Sequence, residues 1–299
     1  MDIVTHAMMG VIIASPLVPA APLTASCLIV GSVVPDLDVL CRIFGKRAFM
    51  ICHQTYSHSL LAIICVACAF QVLQPTSLYE PWAGPALGAG MFLHSFTDVS
   101  NTYGIALFLP FSRRRFSFEW VFFIDAIVLL ASVVCSSFIA WRWMNSEPAG
   151  PLVASIYGAF LSLYWIVKIA LRRSALSCCP SKPLSLIPSA LFPWRFYGCS
   201  RSGNEVGLFT VNAITKEITE ERSVTIFDEE FAAKLHEISE FNIMRELSNG
   251  FHVVDTVKNS NGVQITCRDL RTRNFNTRFG GLDVTLDISG AVTEVNFHV

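Results

Sequence analysis

The sequence predicts a polytopic α-helical membrane domain followed by a small cytoplasmic α+β domain with a mainly antiparallel sheet. Two observations predict this class. Charged residues make up only 15% of the 299 residues, against roughly 25% in soluble proteins. The charges are also uneven: residues 1–171 hold 8 Lys/Arg and 8 Asp/Glu, and the rest hold 14 and 15. We therefore expect a membrane domain at 1–173, a linker at 174–198 and a soluble domain at 199–299.

The membrane domain is predicted to begin with a helical hairpin or re-entrant pair. Its first apolar run, residues 3–34, is broken by Pro16, Pro19 and Pro22 into two pieces, each short for a span of about 20 residues. Further apolar stretches predict four more membrane segments, at residues 60–73, 82–110, 120–144 and 152–171.

Lys and Arg in the short loops predict the orientation. The connections at 41–57 and 111–118 and the end of the last segment at 172–173 carry two or three basic residues each, whereas 74–84 carries none and 142–150 one. If the basic loops lie in the cytoplasm, successive loops alternate evenly between the two sides of the membrane. We expect an integral protein of a bacterial inner membrane with its C-terminal domain in the cytoplasm. A net charge of −1 gives no reason to expect a nucleic-acid partner.

The C-terminal third shows alternating apolar and polar positions separated by Gly-containing turns, which predicts about six strands, and residues 228–247 predict one amphipathic helix. Four prolines at 180–193 predict a linker, in which the apolar piece 184–192 is suited to lie on the membrane surface.

Cys65 and Cys68 form a CxxC inside an apolar run, where cysteine behaves as a small apolar side chain rather than a zinc ligand.

Ionisable residues in the membrane domain are few, and their cost near lipid makes each of them informative. Under the predicted topology, seven lie at or near the cytoplasmic boundary: His6, Asp36, Asp38, His53, His58, His94 and Asp98. Each alone has an ordinary explanation, such as an interfacial histidine or a solvated helix end. Their common depth favours a polar functional site.

These seven side chains are predicted to bind a divalent metal, as one ion with supporting groups or as two ions. His94 and Asp98 are four residues apart, so that both lie on one helical face and can bind one cation. Asp36 and Asp38 add two carboxylates at a helix end. Mixed nitrogen and oxygen ligands suit zinc, or else manganese or iron, better than magnesium.

Two further features have alternative interpretations. Asp125 is a catalytic candidate, either as a ligand or as the acid that orients a ligating histidine; it could instead pair with a boundary arginine. The arginines at 113–115 could hold a phosphate, but a run of arginines beside a membrane segment is more often a topology signal.

The first 130 or so residues carry motifs that resemble the YdjM-type (LexA-regulated) family of membrane-bound metal-dependent hydrolases. The matching residues are Thr5-His6, Pro35-Asp36-Leu37-Asp38, Ser57-His58-Ser59-Leu60, His94 with Asp98, Asn101-Thr102-Tyr103-Gly104, and Asp125. One departure is His53-Gln54-Thr55, where members often have His-Arg-Gly. The resemblance implies a metal-dependent hydrolase. The family's remote likeness to zinc-dependent phospholipases and nucleases implies a phosphoester substrate.

We therefore predict a membrane-bound hydrolase of small or lipid-like phosphoesters at the cytoplasmic membrane face, with membrane lipid as its partner. Two other classes are a metal or proton transporter and a non-enzymatic sensor or scaffold. A transporter is expected to carry polar residues at mid-bilayer, often with repeat symmetry, and the sequence shows neither. The C-terminal histidines, His236, His252 and His298, are scattered, so that no metal is expected there and truncation near residue 195 is expected to leave metal binding intact.

Overall fold

A computed structural model describes residues 1–179, 183–202, 205–225, 229–247, 252–260, 262–269 and 281–298. The chain forms two compact units. The first comprises residues 1–40, 52–170 and 190–193, and the second comprises 41–51, 171–189 and 194–299. The short stretch 41–51 thus belongs to the second unit although residues of the first unit flank it in sequence.

The first unit is helical. It opens with α1 (Ile3–Ala14) and α2 (Pro22–Gly31), which confirms the two short helices predicted from the prolines. Asp2 caps α1 by accepting a hydrogen bond from the Thr5 backbone N–H at 3.0 Å. A 3₁₀ segment (Val34–Phe44) follows, and the chain continues with α3 (Lys46–Cys52), a 3₁₀ turn (Tyr56–His58), α4 (Leu60–Leu73), a 3₁₀ turn (Thr76–Leu78), α5 (Ala83–Ser100), α6 (Ala126–Met144) and α7 (Gly150–Cys178).

Two of these helices, α6 and α7, are long and apolar enough to cross a membrane, and a third span arises if residues 46–58 and 60–73 are counted as one. The sequence predicted more segments. The stretch 82–110 is helical only to Ser100, and thirteen of the eighteen residues of α5 are buried, so this helix packs inside the unit. Helix α6 begins later than predicted because Asp125 caps its N-terminus.

The second unit contains two antiparallel four-stranded sheets, each with its strands in sequence order. The first sheet is formed by β1 (Ser185–Pro188), β2 (Arg195–Ser202), β3 (Glu205–Asn212) and β4 (Ile218–Thr225), and the second by β5 (His252–Asn259), β6 (Gly262–Asp269), β7 (Leu282–Leu286) and β8 (Val292–Phe297). The first sheet packs its apolar face on Ala175, near the end of α7. The sequence predicted one mainly antiparallel sheet of about six strands, whereas the described residues form eight strands in two antiparallel sheets.

The predicted linker at 174–198 is largely regular structure. It contains the end of α7, the strand β1 and the start of β2. The prolines allow this because β1 is an edge strand, where the missing N–H of Pro188 costs no hydrogen bond. Leu186 and Ile187 are buried in a protein core, whereas Leu184, Leu191 and Phe192 of the same apolar piece are exposed.

The predicted single helix at 228–247 is divided into α8 (Glu229–Glu237) and α9 (Ser239–Leu247). Asn242 explains the break, because its side-chain amide donates a hydrogen bond to the His236 carbonyl at 2.8 Å and so satisfies the end of α8. Both helices still present apolar residues to one core, including Leu235, Phe241 and Met244, which pack with the second sheet.

Candidate metal centre

A close crossing of α2 and α5 places His94. A Cβ atom on Gly90 would lie 2.2 Å from the Leu28 carbonyl oxygen, and one on Gly31 would lie 2.2 Å from the Leu87 carbonyl oxygen. Only glycine permits this approach at both positions. It brings the end of α2 so near α5 that His94 Nδ1 donates to the Ser32 carbonyl at 2.8 Å. Because a carbonyl can only accept, Nδ1 carries the proton and Nε2 presents its lone pair to the interior.

Two segments before α4 bring the remaining groups to the same place. Asp38, on the 3₁₀ segment after α2, accepts a hydrogen bond from the Gln54 backbone N–H at 2.8 Å and contacts His53 Nδ1 at 3.1 Å. Gln54 has a φ of 56°, a left-handed conformation that few non-glycine residues adopt. These contacts fasten the aspartate segment to the histidine loop and bring Asp36 and His58 together.

Four ligand atoms converge: Asp36 Oδ1, His58 Nε2, His94 Nε2 and Asp98 Oδ2. The two imidazole nitrogens are 3.2 Å apart. Asp98 Oδ2 lies 3.4 Å from both nitrogens, and Asp36 Oδ1 lies 3.4 Å from His94 Nε2 and 3.7 Å from His58 Nε2. A tetrahedral ion with ligands at about 2.0–2.1 Å separates its ligand atoms by about 3.3–3.4 Å. The spacing therefore fits a bound transition-metal ion.

The chemistry of these atoms also favours a cation. His58, His94 and Asp98 are buried. Asp98 Oδ2 is buried without a hydrogen-bond partner among the described residues, which is costly for a carboxylate oxygen. Two carboxylate oxygens and the lone pair of His94 thus face one point, and a divalent cation there would satisfy all three.

The other oxygen of Asp98 has different partners. Asp98 Oδ1 contacts the Met1 α-ammonium group, accepts from Asn101 Nδ2 at 3.0 Å and lies 3.2 Å from His6 Nε2. The His6 ring stacks on the His94 ring with centroids 3.7 Å apart. His6 therefore supports both a carboxylate and an imidazole of the four-residue cluster, which hereafter means Asp36, His58, His94 and Asp98.

Asp36 is the member of the cluster nearest to solvent, with 13% of its side chain exposed. Burial by itself would raise the pKa of this carboxyl, but the adjacent imidazoles of His58 and His94 outweigh that effect and hold the pKa below its usual range. The carboxylate form that a metal requires is therefore the stable form at neutral pH.

The seven predicted metal residues occupy three kinds of position. Four form the cluster itself. His6 and Asp38 touch cluster members, the latter through a 3.7 Å contact of Asp38 Oδ2 with His58 Nδ1, and His53 contacts Asp38.

Asp125 lies apart from these groups. Its side chain caps α6 and accepts hydrogen bonds from the Tyr164 hydroxyl at 2.9 Å. In the described part of the chain, neither a hydrogen bond nor an ion pair joins Asp125 to the cluster. Its position is that of a helix cap, and its observed partners are neither the boundary arginine nor the ligating histidine considered as alternatives.

Sequence reasoning missed several supporting groups. The Ser32 carbonyl orients His94, but a backbone acceptor has no signature in sequence. Asn101 was part of a motif without a role, and here it donates to Asp98 and accepts from the Tyr103 backbone N–H at 2.9 Å. Arg115 donates to the His53 carbonyl at 2.8 Å and braces the histidine loop.

In the described residues of the second unit, His298 Nε2 pairs with Asp283 Oδ2 at 2.7 Å, and His236 contacts Arg245. The side chain of His252 lies outside the described part. Across the described chain, the four-residue cluster is the one group whose three or more ligating side chains lie close enough to hold an ion.

These features define a helical membrane protein with a buried two-histidine, two-aspartate centre. The chain belongs to the YdjM inner membrane protein family, whose family model matches residues 1–173, the region that contains the whole cluster. It is also similar to a Bacillus subtilis (strain 168) protein described as "Uncharacterized protein YfhP", with 24% identity over 268 residues and 79% of each chain covered. No solved structure matches the chain.

Proposed function

We propose that this protein is a metal-dependent hydrolase of phosphoesters, with its metal held by Asp36, His58, His94 and Asp98. The observation that supports the proposal best is the convergence of four ligand atoms at separations close to those of a tetrahedral ion. One of these atoms is a buried carboxylate oxygen that has no hydrogen-bond partner among the described residues. A divalent ion bound there would lower the pKa of a bound water and stabilise negative charge on a phosphoryl oxygen.

The ligand set favours zinc, with manganese or iron as alternatives. Two imidazole nitrogens and two carboxylate oxygens form a mixed set, whereas magnesium and calcium prefer oxygen alone. A catalytic ion also needs a coordination position that protein does not fill. Asp36 is the most exposed of the four ligands, so water or substrate would reach a bound ion from its side.

Other residues have supporting roles in this proposal. On its Nδ1 side His58 has the Ser57 hydroxyl at 3.1 Å and Asp38 Oδ2 at 3.7 Å, and outer partners of this kind help to orient a ligating imidazole. His53 is partly exposed and is held through Nδ1 by Asp38, which suits it to pass a proton to the leaving oxygen of a substrate. The distribution of basic loops supports a site at the cytoplasmic membrane face, with the C-terminal domain in the cytoplasm. A site at that depth favours a lipid-like substrate.

The test uses the full-length protein purified in detergent. Elemental analysis should find about one zinc, manganese or iron per chain, and X-ray absorption should find five or more ligands, including imidazole. The protein should hydrolyse bis(p-nitrophenyl) phosphate or a short-chain phosphatidic acid. Asp36→Asn and His94→Gln should lose metal and hydrolysis together, while the control variants Cys65→Ala and Cys68→Ala keep both, since these exposed thiols have no part in the site.

Three results would overturn the proposal in different ways. A chain without stoichiometric metal would remove the centre itself. A four-coordinate ion without hydrolysis would identify a structural metal in a sensor or scaffold. Metal uptake into vesicles without hydrolysis would identify a transporter.

A further inference from the structure

Residues 105–116, hereafter the 105–116 loop, form a hairpin-like excursion between α5 and α6. The loop is closed by a bridge in which Ile105 and Phe116 exchange backbone hydrogen bonds of 3.1 and 2.9 Å. Its stem is fastened to the segment that carries His53 and His58. The Ala106 N–H donates to the Gln54 carbonyl at 3.2 Å, and the Leu60 N–H donates to the Leu107 carbonyl at 3.0 Å. A ligand held by this loop is therefore held beside the histidine segment.

The tip of the loop combines exposed aromatic and basic side chains. Phe111 is 86% exposed and Phe108 is 44% exposed. Arg113 and Arg114 are also exposed, whereas Arg115 turns inward to the His53 carbonyl. No acidic residue occurs between Asp98 and Glu119 in the sequence, so the positive charge of the tip is not balanced locally.

If the arginines served only to fix the orientation of the protein in the membrane, no other residue type would be needed beside them. The adjacent exposed phenylalanines add a feature that orientation does not need, because aromatic side chains next to arginines are suited to the boundary between lipid headgroups and acyl chains. The 3₁₀ segment after α2 also exposes apolar side chains. There Leu37 and Leu40 are exposed, at 46% and 55%, while Asp36 and Asp38 turn toward the cluster.

We propose that the tip of the 105–116 loop binds an anionic phospholipid, with Arg113 and Arg114 on the headgroup phosphate and Phe108 and Phe111 in the headgroup boundary. We choose an anionic lipid because its negative headgroup complements the positive charge of the tip, which contains exposed apolar side chains and no acidic residue. This inference rests on the proposed function and limits its substrate class to phosphoesters that are part of a membrane. Such a substrate would reach the centre from the lipid surface beside it.

The test measures the loop directly and does not depend on hydrolysis. Full-length protein is placed in nanodiscs of phosphatidylcholine alone or with increasing phosphatidylglycerol, and backbone hydrogen exchange of residues 105–116 is followed by mass spectrometry. Exchange should slow as phosphatidylglycerol rises. An arginine near an anionic surface contributes roughly five-fold in affinity, so the variant with Arg113→Gln and Arg114→Gln should need roughly 30-fold more anionic lipid for the same protection.

Matched controls separate this binding from general effects. Phe111→Ser should weaken protection in both lipid mixtures. Ile288→Ser, which changes an equally exposed apolar residue of the second unit, should leave the loop unaffected, as should Arg142→Gln, which changes an arginine at the far end of α6.

Equal exchange in the two lipid mixtures would overturn the proposal. So would protection by inorganic phosphate in phosphatidylcholine alone, because that result would identify a site for a free anion. Asp98→Asn should retain the lipid-dependent protection. If anionic lipid protects the loop in both the unchanged protein and the Asp98→Asn variant, but the unchanged protein does not hydrolyse a phosphoester, the lipid site is supported and the proposed function is refuted.

Discussion

The four-residue cluster predicts a hierarchy of metal affinities that a seven-residue site would not give. Asp98→Asn keeps the size of the side chain but removes one of the two charges that would balance a divalent ion. Asp38→Asn removes a carboxylate that lies outside the tetrahedron and contacts His58 Nδ1 at 3.7 Å. We expect the first change to cost much more metal affinity than the second.

The magnitudes follow from the burial of the two carboxylates. Asp98 is completely buried, and leaving a buried charge without its partner costs about 3–5 kcal/mol, which corresponds to roughly 200- to 5,000-fold in affinity. Loss of a group that only orients a ligand costs roughly 10- to 100-fold. Asp38→Asn and His6→Asn belong to this second class, because each residue touches one or two cluster members without joining the cluster.

The assay is competition for zinc between the full-length protein and a fluorescent chelator of known affinity, in one detergent. Circular dichroism and the thermal midpoint without metal show whether each variant is folded. If Asp38→Asn weakens zinc binding as much as Asp98→Asn does, the proposed set of ligands is wrong. The same conclusion follows if Asp98→Asn binds zinc as tightly as the unchanged protein.

Three further predictions concern pH, helix packing and the second unit. Zinc affinity should fall as the pH is lowered, because protons compete with zinc for the imidazole nitrogens and carboxylate oxygens of the cluster; a zinc affinity that does not change with pH in a chelator titration would contradict this set of ligands. Gly90→Ala should lower the thermal midpoint and release metal, since its Cβ would meet the Leu28 carbonyl, whereas the control Gly158→Ala has open space and should raise helix stability by up to about 1 kcal/mol; equal effects of both variants would contradict the close crossing. Phe49→Ala should lower the unfolding free energy of the second unit by about 3–5 kcal/mol in a denaturant titration, because Phe49 is buried in its core, and an unchanged midpoint would contradict that packing.

Local sequence signals predicted the parts of the fold that local chemistry decides. Prolines between α1 and α2 and the Gly-containing turns between strands act on the residues beside them, and both features were predicted. The break between α8 and α9 was not, because the apolar spacing of Leu235, Ile238 and Phe241 continues across it and only the side chain of Asn242 ends the first helix.

For the candidate site too, local features were predictable from the sequence and long-range contacts were not. Ionisable residues in an apolar context are conspicuous in sequence, so that all four cluster residues were among the predicted ligands. Their separation into ligands and supporting groups depends on differences of a few tenths of an ångström in contact distances, between segments as far apart in sequence as the 92 positions from His6 to Asp98. Residue spacing carries no information at that scale.

Residues 41–51 have the least predictable role. As a sequence they are a basic loop between membrane segments, but Phe49 and Met50 are buried in the core of the second unit, and Lys46 Nζ donates to the Phe297 carbonyl at 2.9 Å. That contact joins residues 251 positions apart, which no local pattern can indicate. Asp36 and Asp38 precede this stretch, and His53 and His58 follow it. Truncation near residue 195 would remove the apolar partners of Phe49 in the core of the second unit. The contacts of Asp38 with His53 and Gln54 join the aspartate and histidine segments directly, so metal binding is still expected in the truncated chain.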